Sequence, residues 1–127
     1  MTDAKPAPDG RPSLFSDLMA VSRAAHAAGR HEVAYHTLVA AMHAAAEDAD
    51  APALAQVVHE AEAQIARIDR ETPSHRLSTA SASGRQHPGV YAMLVRQALA
   101  HAEMISPRPA SALTDAAAAL RAASEKR

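Results

Sequence analysis

Cysteine is absent from the 127 residues, which excludes a disulfide framework and any thiolate zinc site. Aromatic residues make up only 2% of the chain and tryptophan is missing, so there is no series of ring faces on which bases could stack. Glycine occurs four times. Gly84 stands alone in its Ser/Thr-rich stretch with no Gly-Lys-Ser/Thr after it, which excludes a phosphate-cradling loop of that type. No apolar run approaches the length needed to span a bilayer. The opening MTDAKPAPDGRP lacks an apolar core segment, so no secretory leader is expected and a cytoplasmic location is the default.

Alanine is abundant instead. It supplies 34 of the 61 hydrophobic residues and leaves only 27 larger ones. Alanine favours helix but buries little area, so the expected core is thin, with helices in close approach. A chain of this length forms one domain. With so little large apolar surface, a partner or a second copy, as in a homodimer, is an expected source of further stability. The net charge of −1 is unevenly spread: residues 13–71 set four arginines against nine acids, a balance of −5, and residues 72–127 set seven bases against three acids, a balance of +4. The arginines of the basic half are scattered singly. They fit a solvated surface, or attraction between the halves, better than a nucleic-acid tract.

Helical periodicity divides the chain. Residues 1–12, with Pro6, Pro8, Pro12 and Gly10, read as a disordered lead-in. Ser13 is a candidate N-cap for a helix over 13–28, with Leu14, Leu18, Val21, Ala25 and Ala28 as its apolar stripe. Gly29 stops it. A second helix over 31–48 uses Val33 or Ala34, Leu38, Ala41 or Met42, and Ala45. Asp50 and Pro52 open a third over 51–70, whose stripe is Leu54, Val57, Val58, Ala61, Ile65 and Ile68. The 72–87 stretch, TPSHRLSTASASGRQH, holds one large apolar residue, Leu77, and reads as a flexible linker. Its serines lie near Arg76 and Arg85, where phosphorylation or an anion could order it. Pro88 opens a fourth helix to Ile105, with Val90, Tyr91, Leu94, Val95, Ala98, Leu99, Ala102 and Ile105 on its apolar side. Ser106-Pro107-Arg108-Pro109 ends it. A weak fifth helix over 111–125 carries Leu113, Ala117 and Leu120. The fold expected is all-α: a small bundle of four to five helices over 13–105, with 106–127 as a short helix and tail.

The first two helices form a hairpin that resembles a tetratricopeptide (TPR) repeat. Leu18 takes the tryptophan place, Val21 the leucine place and Ala25 the tyrosine place. Gly29 sits at the turn, and Ala34, Leu38 and Ala41 take the alanine, aromatic and alanine places of the second helix. The match covers one repeat, from Phe15 to about Asp48. It departs from the family at Ser22, where a smaller residue is usual, at Ala25, and in lacking a closing proline. The resemblance implies that Ser16, Met19, Arg23, His26 and Ala27 lie on the face with which TPR proteins line their groove. A methionine beside arginine and histidine there suits a peptide bearing an apolar residue and a carboxylate.

Eight histidines raise the question of metal. His36 and His43 share a side of one helix, but at seven residues apart they lie roughly 10 Å from each other, too far to hold one ion alone. No HExxH pair, nucleophile elbow or Ser-His-Asp spacing occurs. Glu32–His36 and His43–Glu47 read as i,i+4 pairs on a solvated face. These patterns point to a non-enzymatic protein-interaction module with no cofactor. Its alternatives are a histidine-using ligand or metal sensor that employs the 72–87 segment, and a weak nucleic-acid binder through the basic half.

Overall fold

The computed structural model describes residues 13–107 and 120–123. Within residues 13–107 five helices follow in order: α1 (Leu14–Ala27), α2 (His31–Glu47), α3 (Ala51–Glu71), α4 (Thr79–Gly84) and α5 (Val90–Ile105). No strand occurs among the described residues, and the protein is all-α. No helix among them is long and apolar enough to cross a membrane.

The helix ends follow from local chemistry. Ser13 Oγ accepts the Ser16 N–H at 3.1 Å and starts α1, while Asp50 Oδ1 accepts the Ala53 N–H at 3.1 Å and starts α3. α1 ends in a paired closure: Gly29 N–H donates to the His26 carbonyl and Arg30 N–H to the Ala25 carbonyl, with Gly29 at φ +76°. That is the left-handed cap that favours glycine. α2 ends with the same pair of bonds, Ala49 to Ala46 and Asp50 to Ala45, although the left-handed residue there is Ala49 at φ +51°. These two closures reverse the chain within three residues and set α1, α2 and α3 side by side.

α1 packs on α2, α2 on α3, and α3 on α5, with a lesser contact between α2 and α5. The core between them holds Phe15, Met19, Leu38, Met42, Leu54, Val57, Ile68, Leu77, Tyr91 and Leu94. Alanines 34, 41, 45, 53, 61 and 98 are fully buried beside them, as the alanine-rich composition led one to expect.

Three expectations need correction, and one open choice is resolved. α1 turns a different face inward: Phe15, Met19, Ser22 and Ala25 are buried, while Leu14 is 65% and Val21 49% exposed. On α2 the choice falls on Ala34, since Val33 is exposed. Leu99 of α5 also faces outward. The 72–87 segment is not a plain linker. Ser78 Oγ caps α4 through the Ser81 N–H at 3.1 Å, Leu77, Ser78 and Ala82 are buried, and the Asp69 carboxylate takes both the Thr79 N–H (2.8 Å) and its hydroxyl (2.6 Å). Of the expected helix over 111–125, residues 120–123 are helical and exposed; the remainder, like the 1–12 lead-in, lies outside the described residues.

Candidate functional site

The α1 face expected to bind a peptide is not assembled as one exposed surface. Ser16 is half-buried. Met19 is 2% exposed and belongs to the core, because α1 is rotated about its axis relative to the expected stripe. Arg23 pairs with Glu60 of α3 at 3.0 Å. His26 is half-buried and meets His31 of α2. Met19 therefore offers a partner no surface, and Arg23 and His26 already have neighbours within the fold.

A cleft of about 370 Å³ opens elsewhere, between α3, the start of α4 and the first turns of α5. Ile65 forms one wall, Tyr91 and Val95 another, and Leu77 and Thr79 close one end together with Pro88. Its volume falls in the ordinary range of ligand sites, which are mainly apolar with a few polar groups. Glu62 and Arg96 stand at its edge from α3 and α5. Both are exposed. The Thr79 hydroxyl is held by Asp69, so it is positioned as a wall.

The Tyr91 wall is tied to the far side of the molecule by a buried polar chain. Tyr91 OH donates to Gln64 Oε1 at 2.7 Å. Gln64 Nε2 donates to Ser22 Oγ at 2.9 Å and to Glu60 Oε2 at 3.0 Å. Ser22 in turn donates to the Ala34 carbonyl at 2.8 Å. Ser22 and Gln64 are wholly buried, and burial pushes the Tyr91 phenol well above its usual range. Every described buried side-chain polar atom has a hydrogen-bond partner, so this chain fastens α1, α2, α3 and α5 together without an orphaned group.

Three histidines from three segments meet beside the turn that follows α3. His26 and His31 approach with their Nδ1 atoms 3.3 Å apart, and the His31 and His75 rings lie 5.1 Å apart edge to face. His75 Nδ1 accepts the Leu77 N–H at 3.1 Å. A neutral His75 then carries its proton on Nε2 and has no free lone pair for a metal. Among the described residues, no group of three or more histidines and acids is arranged to hold a metal ion. His36 lies 3.9 Å from Glu32, and His43 meets His101 of α5.

Burial, and then the Arg67 guanidinium, hold the His26 imidazole below its usual pKa; burial, and then His75, do the same to His31. The unfolded chain therefore binds protons here before the folded one does. Stability from these groups is complete above about pH 6.5 and is lost as the pH falls below that value toward the lowered pKa values. Urea unfolding at a series of pH values should show this loss, and it should shrink in His26→Gln and His31→Gln. A loss of the same size in both variants would show that other groups cause it.

Compared with protein-family models, with curated proteins and with solved structures, the chain matches none. Its class is therefore set by its own architecture, a small all-α protein of packed helices with an apolar cleft beside a tethered turn.

Proposed function

We propose that this protein is a small non-enzymatic helical module that docks a protein or peptide segment, and that the α3–α5 cleft seats an apolar side chain of that partner. The observation that carries the reading is the cleft itself: about 370 Å³ of largely apolar space, with opposite charges from Glu62 and Arg96 at its edge. An apolar anchor would remove the half-exposed faces of Ile65 and Val95 from water, at roughly 25 cal/mol for each Å² covered. Charges flanking that anchor would select its orientation more than its affinity.

The TPR-like reading of the hairpin belongs to the same proposal. Its support is the close crossing at Ala34, which takes one of the family's alanine places, is wholly buried and accepts the Ser22 hydroxyl through its carbonyl. Self-association is a second use that exposed Leu14, Val21, Leu99 and Met104 support. A nucleic-acid role is less well supported, because Arg76 pairs with Glu32 and Arg85 donates to the Arg76 carbonyl.

The test is selection of peptides from a random library on immobilised protein, followed by affinity measurement with Ala92→Trp. Ala92 is exposed and lines the cleft, so the indole fills the cleft without entering the core. Selected peptides should lose at least about tenfold in affinity, or 1.4 kcal/mol, while Leu14→Ser on α1 changes nothing. No selected peptide, or peptides indifferent to Ala92→Trp, would remove the cleft from the function.

A further inference from the structure

The turn that closes the cleft is also the turn that carries His75. Residues 72–78 leave α3, pass the start of α2 at His31 and Glu32, and bring Leu77, followed by Thr79 of α4, to the cleft. Leu77 is both a core residue and a cleft wall. The turn is fastened at three places. Thr79 is bonded to Asp69 of α3. Arg76 pairs with Glu32 of α2. His75 lies edge-on against His31, and its Nδ1 accepts the Leu77 N–H.

Two of these details depend on the imidazoles being neutral. Nitrogen atoms 3.3 Å apart in His26 and His31 accommodate one proton between them; a second sets N–H against N–H. Protonating His75 Nδ1 converts the acceptor of the Leu77 N–H into a donor and ends that bond. The surroundings add positive charge. Arg67 of α3 donates to the His26 carbonyl at 2.7 Å, Arg30 lies beside His31 and His75 around a shallow surface pocket, and Arg76 is in the turn itself. Glu60 and Glu71 of α3 and Glu32 of α2 oppose them. Glu60 and Glu71 are engaged by Arg23 and Arg67, and Glu32 by Arg76.

We propose that the His26–His31–His75 contact is a proton-operated latch. It holds the 72–78 turn, and with it the Leu77–Thr79 end of the cleft, in place when the imidazoles are neutral, and it frees that turn in mild acid. The inference rests on the cleft being the docking site, since only then does the latch regulate binding. Partner affinity is then set by pH through the shape of the cleft. The change falls in the range where histidine alone among unperturbed side chains changes charge.

The test needs no ligand, so its result is separate from that of peptide selection. Amide hydrogen exchange is followed by NMR at Leu77, Thr79 and the core residue Leu94, at about pH 7.5 and about pH 5.5, and corrected for intrinsic exchange. Protection at Leu77 and Thr79, relative to Leu94, should fall about tenfold or more between the two conditions. The double variant His31→Gln/His75→Gln should show no such fall. An unchanged ratio in the native protein, or an equal fall in the double variant, overturns the latch. Should the double variant fail to fold, the native protein still decides. The midpoint of turn opening should match the ring titration of His31 or His75, and a mismatch of more than about one pH unit with both overturns the proposal.

Discussion

Gln64→Leu should cost the fold about 2–4 kcal/mol, although leucine is close to glutamine in volume and more apolar. Gln64 is wholly buried and serves three partners: it accepts from Tyr91 OH and donates to Ser22 Oγ and Glu60 Oε2. Ser22 keeps its bond to the Ala34 carbonyl, and Glu60 keeps Arg23. Tyr91 is left with a buried hydroxyl and no acceptor among these groups, and that orphan dominates the cost. For a domain of this size the midpoint of thermal unfolding should fall by roughly 10–25 °C. Tyr91→Phe alone, which orphans only the Gln64 carbonyl oxygen, should cost about 1–2 kcal/mol. The decisive comparison is the double variant. Gln64→Leu/Tyr91→Phe removes both ends of the bond and should be more stable than Gln64→Leu, because no buried donor remains unsatisfied. Simple addition of the single losses in a double-mutant cycle would show that the chain is not a coupled network.

That network also shows where periodicity stops informing. α3 was legible because Leu54, Val57, Ala61 and Ile68 recur on one side and the charged residues lie largely on the other, and all four apolar residues are buried. α1 offers two adjacent apolar stripes, Leu14–Leu18–Val21 and Phe15–Met19, and spacing cannot rank them. Ser22 decides the matter by lying inside, where the Ala34 carbonyl and Gln64 satisfy it. The repeat-like register takes the Leu14–Leu18–Val21 stripe as the inner one and therefore implies an outward Met19, whereas Met19 lies in the core.

The turns show the same divide. Gly29 announces its left-handed cap, but Ala49 and Gln86 adopt that conformation at φ +51° and +56° with no residue type to signal it. The 72–87 segment lacks an apolar stripe. Its order comes from the Ser78 cap and from Asp69, ten residues back along the chain from Thr79. The cleft and the histidine contact draw on residues far apart in sequence, so only the packed helices bring them together. Arg96, Glu62 and His75 carry no local pattern that marks them.

Ala34→Leu should be the most damaging single change to the hairpin. Ala34 is wholly buried, and its own carbonyl receives the Ser22 hydroxyl at 2.8 Å, so the backbones of α1 and α2 lie close together at this crossing. A serine side chain reaches a main-chain oxygen on the next helix only where nothing larger than a methyl group stands between them. Leucine adds three carbons at that point, and overpacking of this kind costs about 1–3 kcal/mol by itself. The helices can relieve it only by separating, which breaks the Ser22–Ala34 bond and pulls Ser22 away from Gln64. The expected total is about 3–5 kcal/mol, enough to leave a marginal domain largely unfolded. Ala24→Leu, one helix over on an exposed position, adds the same carbons to solvent and should move stability by no more than about 0.5 kcal/mol. Thermal and urea unfolding of the two variants separate the effect of close approach from that of added bulk. An Ala34→Leu protein that melts with the native one would mean that α1 and α2 are not held by their small residues. The buried chain from Ala34 through Ser22 and Gln64 to the cleft wall at Tyr91 would then lose its anchor.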